Sequence, residues 1–161
     1  MKLADTARRF RHTVTLILLA ALFGAAGWPQ AGYAEGPAPP PGYARIWIYR
    51  YYEPYRSLAT PYVRFNGRIV GVSRQGTAFY RDVPPGDYEV TVDSEGRDVH
   101  QFARIAVAPG QQVYIETEVS KYWDCGAGAR SDWCRDTFYT LLQLPRIGAA
   151  AVARLSPGGA I

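Results

Sequence analysis

Apolar and polar residues alternate with a period of two along several short stretches of the chain. The clearest stretch is ARIWIYRYY, residues 44–52. Its small and aliphatic residues share one face: Ala44, Ile46 and Ile48. Its arginine and aromatic residues share the other: Arg45, Trp47, Tyr49 and Tyr51. This period is typical of a β-strand with one face against a core, so we expect a first strand whose aliphatic face points inward.

Further strand-like segments follow, separated by turn residues. They are TPYVRF, GRIVGV, TAFYRDV, YEVTVD, HQFARIAV, QVYIETEVS and FYTLLQL. The pair Asn66-Gly67 between the first two tolerates the positive φ angles of a type I′ turn, which predicts a tight hairpin. Short strands with turns about every 8–12 residues favour an all-β fold. We therefore predict an antiparallel β-sandwich of about seven to eight short strands.

The end of the chain has a different composition. The segment IGAAAVARL, Ile147 to Leu155, is the best helix candidate, although a final strand or a loose tail fits it equally well. The last six residues, SPGGAI, predict a flexible tail over 156–161.

The first 34 residues have the layout of a secretory signal peptide. A basic start, with Lys2, Arg8, Arg9 and Arg11, precedes the uncharged run VTLILLAALFGAAG, and small residues follow. This pattern predicts export to the periplasm or the medium, with cleavage after Ala34, or alternatively near Ala26 or Ala31. An uncleaved anchor is the other interpretation, but the run of 14 residues is shorter than the about 20 that a spanning helix needs.

Removing this segment changes the charge balance. The chain has 18 basic and 14 acidic residues; residues 1–34 hold four basic residues and one acidic residue, which leaves a net charge of +1. The remaining arginines are scattered, whereas a nucleic-acid site needs clustered basic residues, so we expect no nucleic-acid partner. Residues 35–42, EGPAPPPG, predict an extended linker, and the sandwich domain is predicted over 43–155.

Three segments resemble a known family. ARIWIYR, PYVRFNGRIVG and GTAFYRDVPPGDYEVTV are similar to the bacterial domain of unknown function 2846 family, over about Ala44 to Val119. The VPPGDYEVTV piece also resembles transthyretin-like and carboxypeptidase-regulatory-like sandwich modules. The resemblance implies an envelope location and a β-sandwich, and it implies no catalytic residue.

The two cysteines, Cys125 and Cys134, lie in WDCGAGARSDWC. In an oxidising compartment two nearby thiols usually pair, so we expect a disulfide that closes a loop over 121–136. A zinc site would need about four ligands, and no histidine lies near. We expect no metal and no cofactor.

Candidate catalytic residues are few. After export His100 is the only histidine, with Asp98 on the same strand face and Ser94 in the preceding turn. Two carboxylate pairs also share faces: Glu116 with Glu118, and Glu89 with Asp93. Paired carboxylates can hydrolyse glycosides, but alternating carboxylates more simply mark the solvated face of a strand. No phosphate-binding glycine loop or serine-hydrolase motif occurs, so no catalytic residue is predicted.

The aromatic residues remain as the candidate binding set: Trp47, Tyr49, Tyr51, Tyr52, Tyr55, Trp123 and Trp133. Core packing is one interpretation; contact with a protein or a glycan is the other. We expect a non-enzymatic, exported module that binds another envelope protein or has a structural role. Glycan binding and a small periplasmic hydrolase using His100 are the alternatives. Membrane contact is expected only if the signal segment is retained.

Overall fold

The computed structural model describes residues 37–94, 101–120 and 136–161. These residues form nine strands and one helix. The strands are β1 (Ala44–Arg50), β2 (Tyr62–Phe65), β3 (Arg68–Val72), β4 (Thr77–Val83), β5 (Gly86–Val92), β6 (Phe102–Val107), β7 (Gln112–Val119), β8 (Phe138–Gln143) and β9 (Ser156–Pro157). The helix, α1, spans Pro145–Val152.

The strands build two sheets. One has five strands in the order β8-β7-β1-β4-β9, and the other has four in the order β3-β2-β5-β6. The predicted hairpin is present: β2 and β3 pair antiparallel, with Asn66 at φ 48° and Gly67 at φ 80°. The predicted all-β, sandwich-like fold is therefore confirmed.

The core lies between the two sheets and contains the inward residues that the alternation predicted. Ala44, Ile46 and Ile48 are buried and pack against Val63 and Val90 of the opposite sheet. Burial of an isoleucine side chain such as that of Ile46 or Ile48 contributes about 1.5–3 kcal/mol, which stabilises β1 at the centre of the five-stranded sheet.

Two strand pairs are parallel, which differs from the antiparallel sandwich expected. β1 pairs parallel with β7, and β9 pairs parallel with β4. The side-chain period is two in both kinds of pairing, so alternation along the sequence does not distinguish them.

The helix α1 covers the outer face of the five-stranded sheet. Ala149 and Ala151 of α1 pack with Tyr49, Ala78 and Tyr114 in a second buried cluster. Strand β1 is therefore buried on both faces. This arrangement explains the aromatic and apolar character of both sides of its sequence.

The last six residues, expected as a flexible tail, pair instead with both sheets. Ser156 and Pro157 pair with β4, and Gly71 of β3 forms a bridge with Ala160. The amide of Val72 donates to the carbonyl of Gly159 at 2.7 Å. The segment thus crosses from the edge of one sheet to the edge of the other.

Candidate functional site

The structure separates the predicted aromatic residues into two groups. Tyr49 is buried and Trp47 is half-buried on the outer face of the five-stranded sheet, whereas Tyr51, Tyr52 and Tyr55 are exposed after β1. The other predicted site residues lie outside the described residues: Trp123, Trp133, Cys125, Cys134 and His100.

The first group belongs to an aromatic row across three strands. Trp47 lies opposite Tyr80 of β4 and Tyr114 of β7. Its ring centroid is 4.8 Å from that of Tyr80 and 6.4 Å from that of Tyr114. The Trp47 indole N–H donates to Gln112 at 2.9 Å. These rings contact one another, so their main role is packing rather than presentation to a ligand.

Arg45 fixes one end of this row. Its guanidinium makes a two-bonded ion pair with Asp82, at 2.7 and 2.9 Å, and stands 3.8 Å over the Tyr80 ring. The hydrogen bond from Arg45 to Asp82 raises the pKa of the buried guanidinium. The Tyr80 face under Arg45 is therefore occupied, although Trp47 and Tyr80 also line an open groove of about 490 Å³ beside the end of α1.

The second group is carried by the loop between β1 and β2, residues 51–61, which we call the β1–β2 loop. Three of its side chains are strongly exposed: Tyr52 at 68%, Tyr55 at 96% and Leu58 at 79%. Exposed apolar side chains that are grouped on one surface often mark a site of interaction with a partner, and these three lie within seven residues of one loop. This loop is the candidate functional site.

A buried arginine holds the β1–β2 loop. Arg50 is the last residue of β1 and has the same parity as the core residues Ala44, Ile46 and Ile48. It is only 4% exposed. Its guanidinium donates to the carbonyls of Ala59 at 2.8 Å and Ser57 at 2.6 Å. Burial lowers the pKa of Arg50, and these carbonyl acceptors compensate part of the cost of desolvating the charge.

Other side chains tether the same loop from outside. Gln75 donates its amide to the Ser57 carbonyl and accepts from the Glu53 amide at 3.1 Å. Arg56 donates to the carbonyl of Val119 at 2.9 Å and pairs with Glu53 at 3.2 Å. The loop backbone is therefore fixed at several points while Tyr52, Tyr55 and Leu58 face solvent.

The carboxylate pairs have different surroundings. Glu89 pairs with Arg104 at 3.0 Å, and Asp93 pairs with Arg64 at 2.7 Å, both on the outer face of the four-stranded sheet. This placement agrees with the solvated-face interpretation of that pair. Within the described ranges, no group of three or more His, Cys, Asp or Glu side chains is arranged to hold a metal ion.

Glu116 does not fit the solvated-face interpretation. It lies half-buried on the outer face of β7, where it accepts from the Tyr49 hydroxyl at 3.2 Å and from the Gln143 amide at 2.8 Å. Burial raises the pKa of Glu116 more than these two hydrogen bonds lower it. The half-buried Glu116 and the buried Tyr49 thus form a polar contact on the outer face of the five-stranded sheet.

Sequence reasoning missed Arg50 and Leu58. A signal for Arg50 was present, since it continues the inward series of positions 44, 46 and 48. An arginine at a core position needs hydrogen-bond acceptors within the protein. Backbone carbonyls that are not used in a sheet can supply them, so this position predicts that a loop packs against the end of the strand. No comparable pattern identifies Leu58, because its exposure depends on how the loop is tethered.

Comparison with known proteins adds no relative. No protein-family model, curated protein or solved structure matches this chain. In the part of the chain that the structure describes, no helix has the length and apolar character needed to span a membrane.

Proposed function

We propose that this protein is an exported, non-enzymatic module of the bacterial periplasm or cell envelope that binds another envelope protein through the β1–β2 loop. The observation that carries the proposal is the combination of a tethered backbone with three exposed apolar and aromatic side chains. Export rests on the composition of residues 1–34, and the envelope location also rests on the resemblance to the domain of unknown function 2846 family.

The rigidity of the loop is what favours binding. Ordering a loop and its side chains on association costs about 0.5–1.5 kcal/mol per immobilised side chain. Arg50 and Gln75 hold the loop backbone before any partner arrives, so less ordering remains to be done. Tyrosine adds a large contact area with few rotatable bonds, which is why it is enriched in binding loops.

The residues around the loop suit a protein partner. The Glu53–Arg56 ion pair lies beside the exposed tyrosines in the chain, and a polar rim around an aromatic centre is common at protein interfaces. Glycan binding is the second candidate, because the exposed rings of Tyr52 and Tyr55 could also stack on a sugar.

The Cys125–Cys134 disulfide remains part of the proposal and contributes to the stability of the exported domain.

Crosslinking in intact cells tests the proposal. A photo-reactive residue at position 55 should give one discrete adduct with an envelope protein, and the same residue at Ile69 should not. Ile69 is an exposed control beside the hairpin at the far end of β2. An identical adduct pattern from both positions, or no adduct from position 55, would refute the proposal.

Binding to the captured partner then tests individual side chains. Tyr55→Ala and Leu58→Ala should each weaken binding by about tenfold or more, and Ile69→Ala should leave it unchanged. Arg50→Met should also weaken binding although the Arg50 side chain is buried, because it positions the loop. A glycan-array signal that Tyr55→Ala abolishes, without a protein adduct, would favour the glycan candidate instead.

A further inference from the structure

Asn66, in the hairpin turn, extends the pairing of β2 with β5 by one position. Its backbone amide donates to the carbonyl of Glu89 at 2.9 Å. The side chain makes the return bond, since the Glu89 amide donates to Asn66 Oδ1 at 2.8 Å. Asn66 Nδ2 donates in turn to the carbonyl of Asp87 at 3.2 Å. The carboxamide of Asn66 therefore takes the place of a peptide group beside β5.

This position requires an asparagine for two reasons. The backbone of residue 66 is at φ 48°, in the left-handed region that Asn and Asp adopt more readily than most residues with side chains. Of these two, only Asn carries both an acceptor oxygen and an N–H donor, because an ionised aspartate only accepts. An aspartate at position 66 would place a carboxylate oxygen against the Asp87 carbonyl.

The same residue is open to spontaneous deamidation, because asparagine is thermolabile. Asn66 is the one asparagine of the sequence, and a glycine follows it, whose nitrogen no β-carbon hinders. When the Gly67 nitrogen attacks Cγ of Asn66, the N–Cγ bond forms and the Cγ–Nδ2 bond breaks. The Gly67 amide proton passes through solvent to the leaving group, which departs as ammonia. Water then opens the ring at either carbonyl, which gives aspartate or isoaspartate.

The folded hairpin opposes this reaction. Asn66 at φ 48° and Gly67 at φ 80° have the left-handed backbone of a type I′ turn. Closing the ring requires the carboxamide to turn from β5 toward the Gly67 nitrogen, which breaks both of its hydrogen bonds. Arg64 restrains the turn further, since its guanidinium donates to the Gly67 carbonyl at 3.2 Å and pairs with Asp93 at 2.7 Å. The reactive arrangement therefore requires the hairpin to open from β5.

We propose that Asn66 is a deamidation site that the folded hairpin protects, so that the modification marks chains in which the hairpin has opened. The change is irreversible and removes the Nδ2 donor to β5, which weakens the pairing that protected the site. It does not depend on the proposed partner, because the β1–β2 loop precedes β2 and the hairpin turn follows it.

Mass spectrometry of the purified protein tests the protection. The peptide that contains residue 66 is followed during incubation at mildly alkaline pH, in buffer and in guanidinium chloride at the same pH and temperature. Deamidation should be at least about tenfold slower in buffer, because it waits for local opening of the hairpin. Equal rates in the two solutions would overturn the proposal.

Two arginine variants test the restraint on the turn. Arg64→Ala removes the hydrogen bond to the Gly67 carbonyl and should raise the rate in buffer by about threefold or more, without changing the rate in guanidinium chloride. Arg104→Ala is the matched control, since Arg104 pairs with Glu89 on the same face of the sheet and should leave both rates unchanged. Equal acceleration by the two variants would contradict a restraint from Arg64.

Asn66→Asp imitates the product of the reaction. Aspartate keeps the size of the side chain and its tolerance for positive φ, so the variant isolates the loss of the N–H donor. Its melting temperature should be several degrees below that of the wild type. An Asn66→Asp variant that melts with the wild type would show that the carboxamide does not hold the hairpin on β5, and would also overturn the proposal.

Discussion

Gly148 of α1 lies against the ring of Tyr114 on β7. A β-carbon at position 148 would stand 2.2 Å from Cβ and 2.3 Å from Cγ of Tyr114, far inside the contact distance of two carbon atoms. The helix can approach the sheet this closely only because residue 148 has no side chain. This contact lets α1 cover the outer aromatic face of β1.

Gly148→Ala should therefore destabilise the protein. Helix propensity alone predicts the opposite, since alanine is favoured over glycine by about 1 kcal/mol in a helix interior. The added methyl group must push α1 away from Tyr114, and such overpacking costs about 1–3 kcal/mol. Urea unfolding followed by tryptophan fluorescence measures the change.

Ala150→Gly is the matched control on the exposed side of α1. It should cost about 1 kcal/mol through helix propensity alone. A Gly148→Ala variant more stable than the wild type would show that the helix does not pack on Tyr114 in this way.

Thr117→Val should stabilise the fold. The Thr117 hydroxyl is buried on the inner face of β7 without a hydrogen-bond partner, and an unsatisfied buried hydroxyl costs about 1–3 kcal/mol. Valine has nearly the same shape and keeps the β-branched side chain. We expect a gain of about 1 kcal/mol in the free energy of unfolding.

The neighbouring strand offers a control for this substitution. Thr140 is also buried, but its hydroxyl donates to the Val90 carbonyl at 3.2 Å. Thr140→Val should therefore lower stability. Equal effects of the two substitutions would contradict the assignment of Thr117 as the unsatisfied group.

The pH dependence of stability should contain a contribution from Glu116. Its pKa is raised above the ordinary value of 4.5, first by burial and further by Glu118 and Glu53. Because the pKa of Glu116 is higher in the folded state than in the unfolded state, the protonated carboxyl group stabilises the fold. This stabilisation is complete at a pH below the unfolded-state pKa, and it is lost as the pH rises through the folded-state pKa.

Glu116→Gln removes this titration. The melting temperature of Glu116→Gln minus that of the wild type should increase as the pH rises above the ordinary carboxyl pKa of 4.5. In Tyr49→Phe, stability should fall more steeply with rising pH than it does in the wild type, because the ionised Glu116 carboxylate loses the hydrogen bond that the Tyr49 hydroxyl donates. A difference between Glu116→Gln and the wild type that stays constant with pH would argue against the raised pKa.

Gly159→Ala should destabilise the protein because the end of the chain is packed. Gly159 has φ +94°, and a β-carbon there would lie 2.3 Å from the Val72 carbonyl oxygen. A strained backbone of this kind costs about 1–3 kcal/mol. Gly158→Ala, whose β-carbon would meet Thr77 at 3.2 Å, should have the smaller effect. If residues 156–161 formed a loose tail, both substitutions would be neutral in thermal unfolding.

The β-content, the inward face of β1 and the hairpin at Asn66-Gly67 could be predicted from local residues. Each depends on a short-range rule: alternation with a period of two, or the tolerance of Asn and Gly for positive φ. Tyr52 and Tyr55 could likewise be named as candidates from their composition. Their exposure could not, because it depends on the tethers from Arg50 and Gln75.

Contacts between distant segments settled the remaining features. Whether β1 pairs parallel or antiparallel with β7 leaves no trace in either segment, since the side-chain period is the same. The burial of Tyr49 depends on α1, which begins 96 positions later in the chain. The sequence of this short helix does not indicate which face of the sheet it covers. Local conformation follows from neighbouring residues, whereas burial of an outer face depends on which distant element packs there. For that reason alternation predicted the strands, and the three-dimensional packing of α1 and the β1–β2 loop separated buried aromatic residues from exposed ones.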